Sequence, residues 1–103
     1  MIKIGLIGCG FMGTMHANCY KNIEGAEVVA FADIRREYAE KLASGTSADI
    51  YGDGYELIEQ ADVDVIDICL PTKVLGKCAF IHKVEGNGLF SRIGNDFQII
   101  STF

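Results

Sequence analysis

Apolar positions along this chain fall into short dense runs, separated by segments where they recur every three or four residues. Residues 2–7, IKIGLI, form the first run and are stopped by glycine, as expected of a strand buried on both faces of a parallel sheet. Met12, Met15, Cys19, Tyr20 and Ile23 then recur at helical spacing, and Asn22 with Gly25 supplies a stop. A second run, residues 27–32, is rich in β-branched and aromatic side chains and ends at Asp33. A polar helix over 35–44 follows, with Tyr38, Ala39 and Leu42 on one stripe and Gly45 just past its end. ADIY, 48–51, predicts a brief third strand, YELIEQA, 55–61, a short helix, and VDVIDICL, 63–70, a fourth strand closing at Leu70-Pro71.

Four strands therefore alternate with three helices, which predicts a parallel sheet with helices packed on both faces. Beyond Pro71 the pattern thins. Residues 73–86 fit a further crossover helix with Val74, Leu75, Cys78 and Ile81 inward, and LFSRI, 89–93, a fifth strand. DFQIISTF, 96–103, leans towards strand and either pairs as a sixth or hangs at the edge after the Gly94-Asn95 turn. The expected class is α/β: a three-layer, doubly wound parallel sheet of Rossmann type in one domain spanning 1–103, with neither repeats nor a low-complexity linker.

Composition narrows the function. With 103 residues, half of them hydrophobic and 22% charged, the chain has room for one core and reads as an ordinary globular domain. A net charge of −5, with Arg35-Arg36 the one adjacent basic pair, argues against a nucleic-acid surface. A bound phosphate must then be held by backbone N–H groups at a helix terminus. The four cysteines form no CxxC pair, no secretory leader opens the chain, and no apolar run approaches the ~20 residues that span a bilayer. Reduced thiols, a cytoplasmic location and no membrane association are the expectation.

The chemistry is concentrated in IGLIGCGFMGTMH, residues 4–16. Gly8-Cys9-Gly10-Phe11-Met12-Gly13 has GxGxxG spacing and lies between a strand and a helix, where dinucleotide binding requires it. Gly8 allows the tight turn, Gly10 lets a pyrophosphate approach, and Gly13 lets helix and sheet pack closely. The N–H groups around Phe11 and Met12 face the pyrophosphate at the positive end of the helix. Asp33, twenty residues past Gly13 at the end of the second run, is placed to accept the ribose hydroxyls. Ile34 and Arg35 follow it into the cofactor site. A carboxylate at 33 repels a 2′-phosphate and favours NAD, whereas Arg35 can attract that phosphate or stack on adenine, so NADP is the less favoured form. A methyltransferase loop would carry GxGxG after an acidic residue, and here the strand ends Leu6-Ile7. A glycine-rich turn with no ligand is the plain structural alternative.

With the loop, Asp33 and ICLPT in place, residues 1–72 resemble the N-terminal domain of the glucose–fructose oxidoreductase and inositol dehydrogenase family, Gfo/Idh/MocA. The opening resembles that family's GxGxxGxxH, ending on His16; FADI resembles its second strand, and YELIEQADVDVIDICLPT its third helix and fourth strand. The resemblance implies the NAD(P)-binding half of an oxidoreductase of sugars, cyclitols or related polyols, normally followed by a larger substrate domain. It also implies that Leu70, Pro71 and Thr72 line the cofactor on its nicotinamide side, although a proline after a strand is otherwise a simple terminator. After Thr72 the chain departs from the family pattern. Leu75 stands where the family has His, and Arg92-Ile93-Gly94 where it has Glu-Lys-Pro, so the lysine used near the reacting carbon is missing and no substrate domain follows. A truncated or frame-shifted coding sequence is favoured over specialisation for binding, and the chain alone is expected to lack dehydrogenase activity. A non-catalytic dinucleotide sensor and a structural remnant with an empty loop are the alternatives. Uncovered apolar surface on the sheet or a helix predicts a homo-oligomer.

Other reactive residues read as structural. Cys9 could be activated by the helix N-terminus, but a small buried thiol facing the first helix is the favoured reading. His16 has no partner visible in the sequence and is expected to pack or hydrogen-bond near the loop. His82 lies in an uncertain helix, no metal-ligand spacing is found, and no metal is expected. Asp62 and Asp64 read as solvated loop. Asp67, a charge within a buried strand, needs a partner, and marks either a sheet edge or a contact with material outside the chain.

Overall fold

A computed structural model describes residues 1–69 and the backbone of a last strand, 98–101. Its elements run β1 (Ile2–Ile7), α1 (Phe11–Tyr20), β2 (Ala26–Ala32), α2 (Arg36–Ala43), β3 (Asp49–Tyr51), α3 (Gly54–Gln60), β4 (Val65–Ile68) and β5 (Gln98–Ser101). All pairings are parallel, in the order β3-β2-β1-β4-β5. Strand, helix and strand thus alternate as the apolar pattern predicts, and the doubly wound α/β class is observed.

Side-chain alternation along the strands divides the interior into two layers. Ile7, Ala30, Ala32, Ile66 and Ile68 face one side, where Leu57 and Ile58 of α3 cover them. Leu6, Phe31 and Cys69 face the other, against Ala17 of α1 and Ala39 and Ala43 of α2. The helical residues at the second face are small, which lets α1 and α2 lie close to the sheet. For α1 this departs from the expected stripe: Met12, Met15, Cys19 and Ile23 are exposed, and the buried positions are Gly13 and Ala17. Close approach demands small residues, so the large apolar side chains of this helix are left outside. Tyr38 departs likewise, since only Ala39 and half-buried Leu42 of its stripe enter the core.

Local signals explain most boundaries. Gly45, with φ +78°, stands just past α2 as a left-handed stop, whereas Gly25, with φ +84°, lies well beyond the end of α1 and turns the chain into β2. Asp53 caps α3, its side chain accepting from the Glu56 N–H at 2.9 Å. The C-terminal segment settles one open question: 98–101 pairs in parallel with β4, making it the edge strand beyond β4. The expected helix over 73–86 and strand over 89–93 lie outside the described residues, as do Leu70, Pro71, Thr72, Cys78, His82 and 92–94.

From β1 the chain winds outward through β2 to β3, then returns to place β4 on the other flank of β1. The winding direction therefore reverses between β1 and β4, and in open α/β sheets the crevice at the carboxyl ends of such strands is where ligands bind.

Candidate functional site

A cleft of about 650 Å³ opens at that point. Gly8, Gly10, Phe11 and Met12 line it from the loop after β1, Asp33, Ile34, Arg35 and Tyr38 from the end of β2 and start of α2, and Cys69 from the end of β4. The structure thus brings together every described residue of the expected cofactor site, except that Gly13 serves from behind.

The glycines divide the work. Gly8 has φ +95°, a left-handed turn that a side chain rarely adopts, and its N–H donates to the Ala32 carbonyl at 2.8 Å, tying the loop to β2. A Cβ on Gly13 would drive into the Gly8 carbonyl and stand 3.2 Å from the Leu6 side chain, so Gly13 sets how closely α1 meets β1. Gly10 differs from both. Its φ is −79°, and an added Cβ would meet only the end of the Arg35 guanidinium, at 3.7 Å. Among the described residues no backbone crowds a Cβ there, whereas a ligand group approaching the backbone from the cleft would.

Gly10 is also the residue before α1, and no side chain caps that helix. The first N–H groups of a helix have no partner within it, and they carry its positive end. With no acidic residue in the first turn, this terminus is electrostatically open to an anion.

Asp33 is held from two sides. Oδ2 accepts from the Cys9 N–H and Oδ1 from the Arg35 N–H, each at 2.8 Å, so the carboxylate fastens the glycine loop to the end of β2. Each oxygen keeps a further lone pair for a ligand hydroxyl. The Arg35 side chain passes 3.6 Å from Oδ1 and lies over the Tyr38 ring, 4.0 Å from its centroid. Ile34 is 85% exposed at the rim.

Cys9 is buried, its thiol 3.5 Å from the Ala32 carbonyl. Burial, reinforced by the Asp33 charge, pushes the thiol up to about 12, which removes it as a nucleophile at neutral pH. The small-residue reading of Cys9 holds.

Asp67 needs correcting, whereas His16 hydrogen-bonds behind the loop as expected, to a partner the sequence did not show. Asp67 lies on β4, between β1 and β5, so it marks no sheet edge, and its partners are within the chain. Asp67 Oδ2 lies 2.6 Å from His16 Nδ1 and accepts from the Tyr20 hydroxyl at 2.7 Å. Desolvation, with the adjacent Asp67, raises the Tyr20 hydroxyl above its ordinary value. The i, i+4 spacing of His16 and Tyr20 could have signalled one helical face, but nothing in the sequence shows that this face meets position 67.

A profile of the oxidoreductase family with an NAD-binding Rossmann fold, Gfo/Idh/MocA, matches residues 2–85. The chain belongs to this family. An inositol 2-dehydrogenase from Pseudomonas savastanoi pv. phaseolicola is 38% identical over 71 residues, 66% of this chain and 21% of the relative. The chain therefore spans about a fifth of the length of that relative. Among solved structures, myo-inositol dehydrogenase from Lactobacillus casei, in complex with NAD(H) and myo-inositol, superposes with a TM-score of 0.76 at 29% identity, covering 98% of this chain and 28% of its own. A 3-ketoreductase from Actinomadura kijaniata, in complex with NADP, shares the fold with a TM-score of 0.74 at 21% identity, covering 97% of this chain and 28% of its own. These Gfo/Idh/MocA neighbours hold both dinucleotide forms.

Proposed function

We propose that this chain is the NAD(H)-binding portion of an inositol- or polyol-type dehydrogenase, holding the cofactor in the cleft above β1, β2 and β4. Gly10 carries the reading. Among the described residues an added Cβ at Gly10 would meet no backbone, Gly10 lines the cleft, and it stands beside an uncapped helix N-terminus. In this assignment the N–H groups at Phe11 and Met12 hold the pyrophosphate, and Asp33 accepts the ribose hydroxyls. The family resemblance assigns Leu70, Pro71 and Thr72 to the nicotinamide side. When bound, the dinucleotide accepts or donates hydride, and the chain's own residues bind and orient it. The inositol dehydrogenase relatives support a cyclic polyol as the substrate of the whole protein.

Asp33 favours NAD, because its carboxylate meets the ribose where NADP carries a phosphate. Arg35, resting on Tyr38 at the same rim, gives that phosphate a secondary partner. Calorimetry with NADH and NADPH tests both statements. NADH is expected to bind at high-micromolar affinity or better and NADPH at least tenfold more weakly. Absence of NADH binding by the folded chain sinks the assignment.

A further inference from the structure

Behind the cleft, α1 and β4 bring an imidazole, a carboxylate and a thiol together. His16 Nδ1 lies 2.6 Å from Asp67 Oδ2 and 3.3 Å from Cys69 Sγ, and Sγ lies 3.4 Å from Asp67 Oδ1. One donor atom from each residue can be chosen so that all three lie within 4.8 Å of one another. The arrangement follows from the fold: positions 67 and 69 alternate with Ile66 and Ile68, so both side chains leave β4 on the face that α1 covers. Asp67 is fully buried, and its Oδ2 is shared by the His16 ring nitrogen and the Tyr20 hydroxyl.

We infer that His16, Asp67 and Cys69 form a binding site for a divalent transition-metal ion of the zinc or cobalt type. Imidazole nitrogen, thiolate sulfur and carboxylate oxygen are the donor set such borderline-soft ions take, and three protein ligands with one open position are a stable arrangement for them. Metal–nitrogen and metal–oxygen bonds of about 2.0–2.2 Å, with metal–sulfur bonds of about 2.3 Å, put tetrahedral ligand atoms roughly 3.3–3.6 Å apart. The contacts of the thiol with the ring and with Oδ1 are already of that size. On binding, the ring would exchange its short hydrogen bond to Oδ2 for a bond to the ion.

Three further features favour an ion. The Tyr20 hydroxyl on Oδ2 is the outer hydrogen bond that a ligating carboxylate needs for orientation, and it leaves Oδ1 for the metal. Cys69 borders the cleft, giving an ion a route in and solvent a place at the fourth position. A dication would offset the buried charge of a carboxylate that otherwise meets only the imidazole, the phenol and the thiol among the described residues. The proton balance is simple. The thiol gives up its proton to solvent, the ring proton moves from Nδ1 to Nε2, and one proton is released per ion bound, so affinity rises by up to tenfold per pH unit. The inference stands apart from the dinucleotide assignment, and NADH binding is measured on the same samples so that either can fail alone.

The test is titration of the reduced, chelator-stripped chain with Co²⁺, read by the near-ultraviolet sulfur-to-cobalt charge-transfer band. One ion per chain is expected. Cys69→Ala and His16→Gln should abolish the band and weaken binding at least a hundredfold, Tyr20→Phe should weaken it about tenfold, and Cys19→Ser should leave it unchanged. X-ray absorption of the zinc-loaded wild-type chain needs no variant to fold, and should show one sulfur and at least one imidazole bound to the metal. No band at stoichiometric Co²⁺, unaltered binding in folded Cys69→Ala, or a zinc sphere with no sulfur or with several would each overturn the site.

Discussion

Gly10 and Gly13 stand three residues apart in one loop and are glycine for different reasons, which makes them separable by substitution. Gly13→Ala forces a Cβ into the Gly8 carbonyl and should cost about 1–3 kcal/mol of stability, read as a lowered urea midpoint. Among the described residues the Cβ of Gly10→Ala meets only the end of a flexible arginine, so the midpoint should hardly move while NADH affinity falls at least tenfold. If both variants lost only stability, the loop would be structural. Asp33 joins the two roles: Asp33→Ala leaves the buried Cys9 N–H without its acceptor, and should lose about 1–3 kcal/mol of stability together with dinucleotide binding. Cys9 sets a pH dependence. Its thiol is raised from an ordinary 9.0 to about 12, so the fold favours the neutral form. The stabilisation is complete below pH 9 and is lost as pH rises towards 12. The stability difference between wild type and Cys9→Ala should therefore be constant up to pH 9 and shrink above it, as denaturant melts at pH 8 and pH 10 would show.

At the scale of elements, α1 is the piece on which the site depends, and polar contacts as well as apolar burial hold it. Its core-facing residues are small, and the Asp67 carboxylate on β4 takes up both His16 and Tyr20 from successive turns. Asp67→Ala strands those two donors and should destabilise the chain by about 1–3 kcal/mol, with α1 amides losing hydrogen-exchange protection more than those of α3. Equal loss across both helices would contradict a local tether. Element type and order were legible in the sequence, because runs of Val and Ile against three-to-four-residue spacing distinguish strand from helix wherever a glycine or aspartate marks the end. Which face of α1 turns inward was not legible. Apolarity pointed to Met12, Met15 and Ile23, but the separation of helix and sheet is set by Gly13 and Ala17, and size overrides apolarity when surfaces must touch.

Across the whole molecule, the winding reversal between β1 and β4 gathers three strand ends at one cleft, while α1 carries its large apolar residues outward. Met15 on α1 and Ile23 just after it, both outside the cleft lining, are 46% and 50% exposed. A homo-oligomer through this face is the expected state, and sedimentation velocity showing only monomer as concentration rises would contradict it. The glycine-rich loop, the carboxylate twenty residues on and the α/β class all follow from the sequence, because each is a local pattern of residue type and spacing. The mutual placement of His16, Asp67 and Cys69, the anchoring of Asp33 to the Cys9 amide and the parallel seat of β5 beside β4 follow only from tertiary structure. They join residues 24 to 53 positions apart or seat a distant strand, and no periodicity along one segment encodes which other segment it will meet.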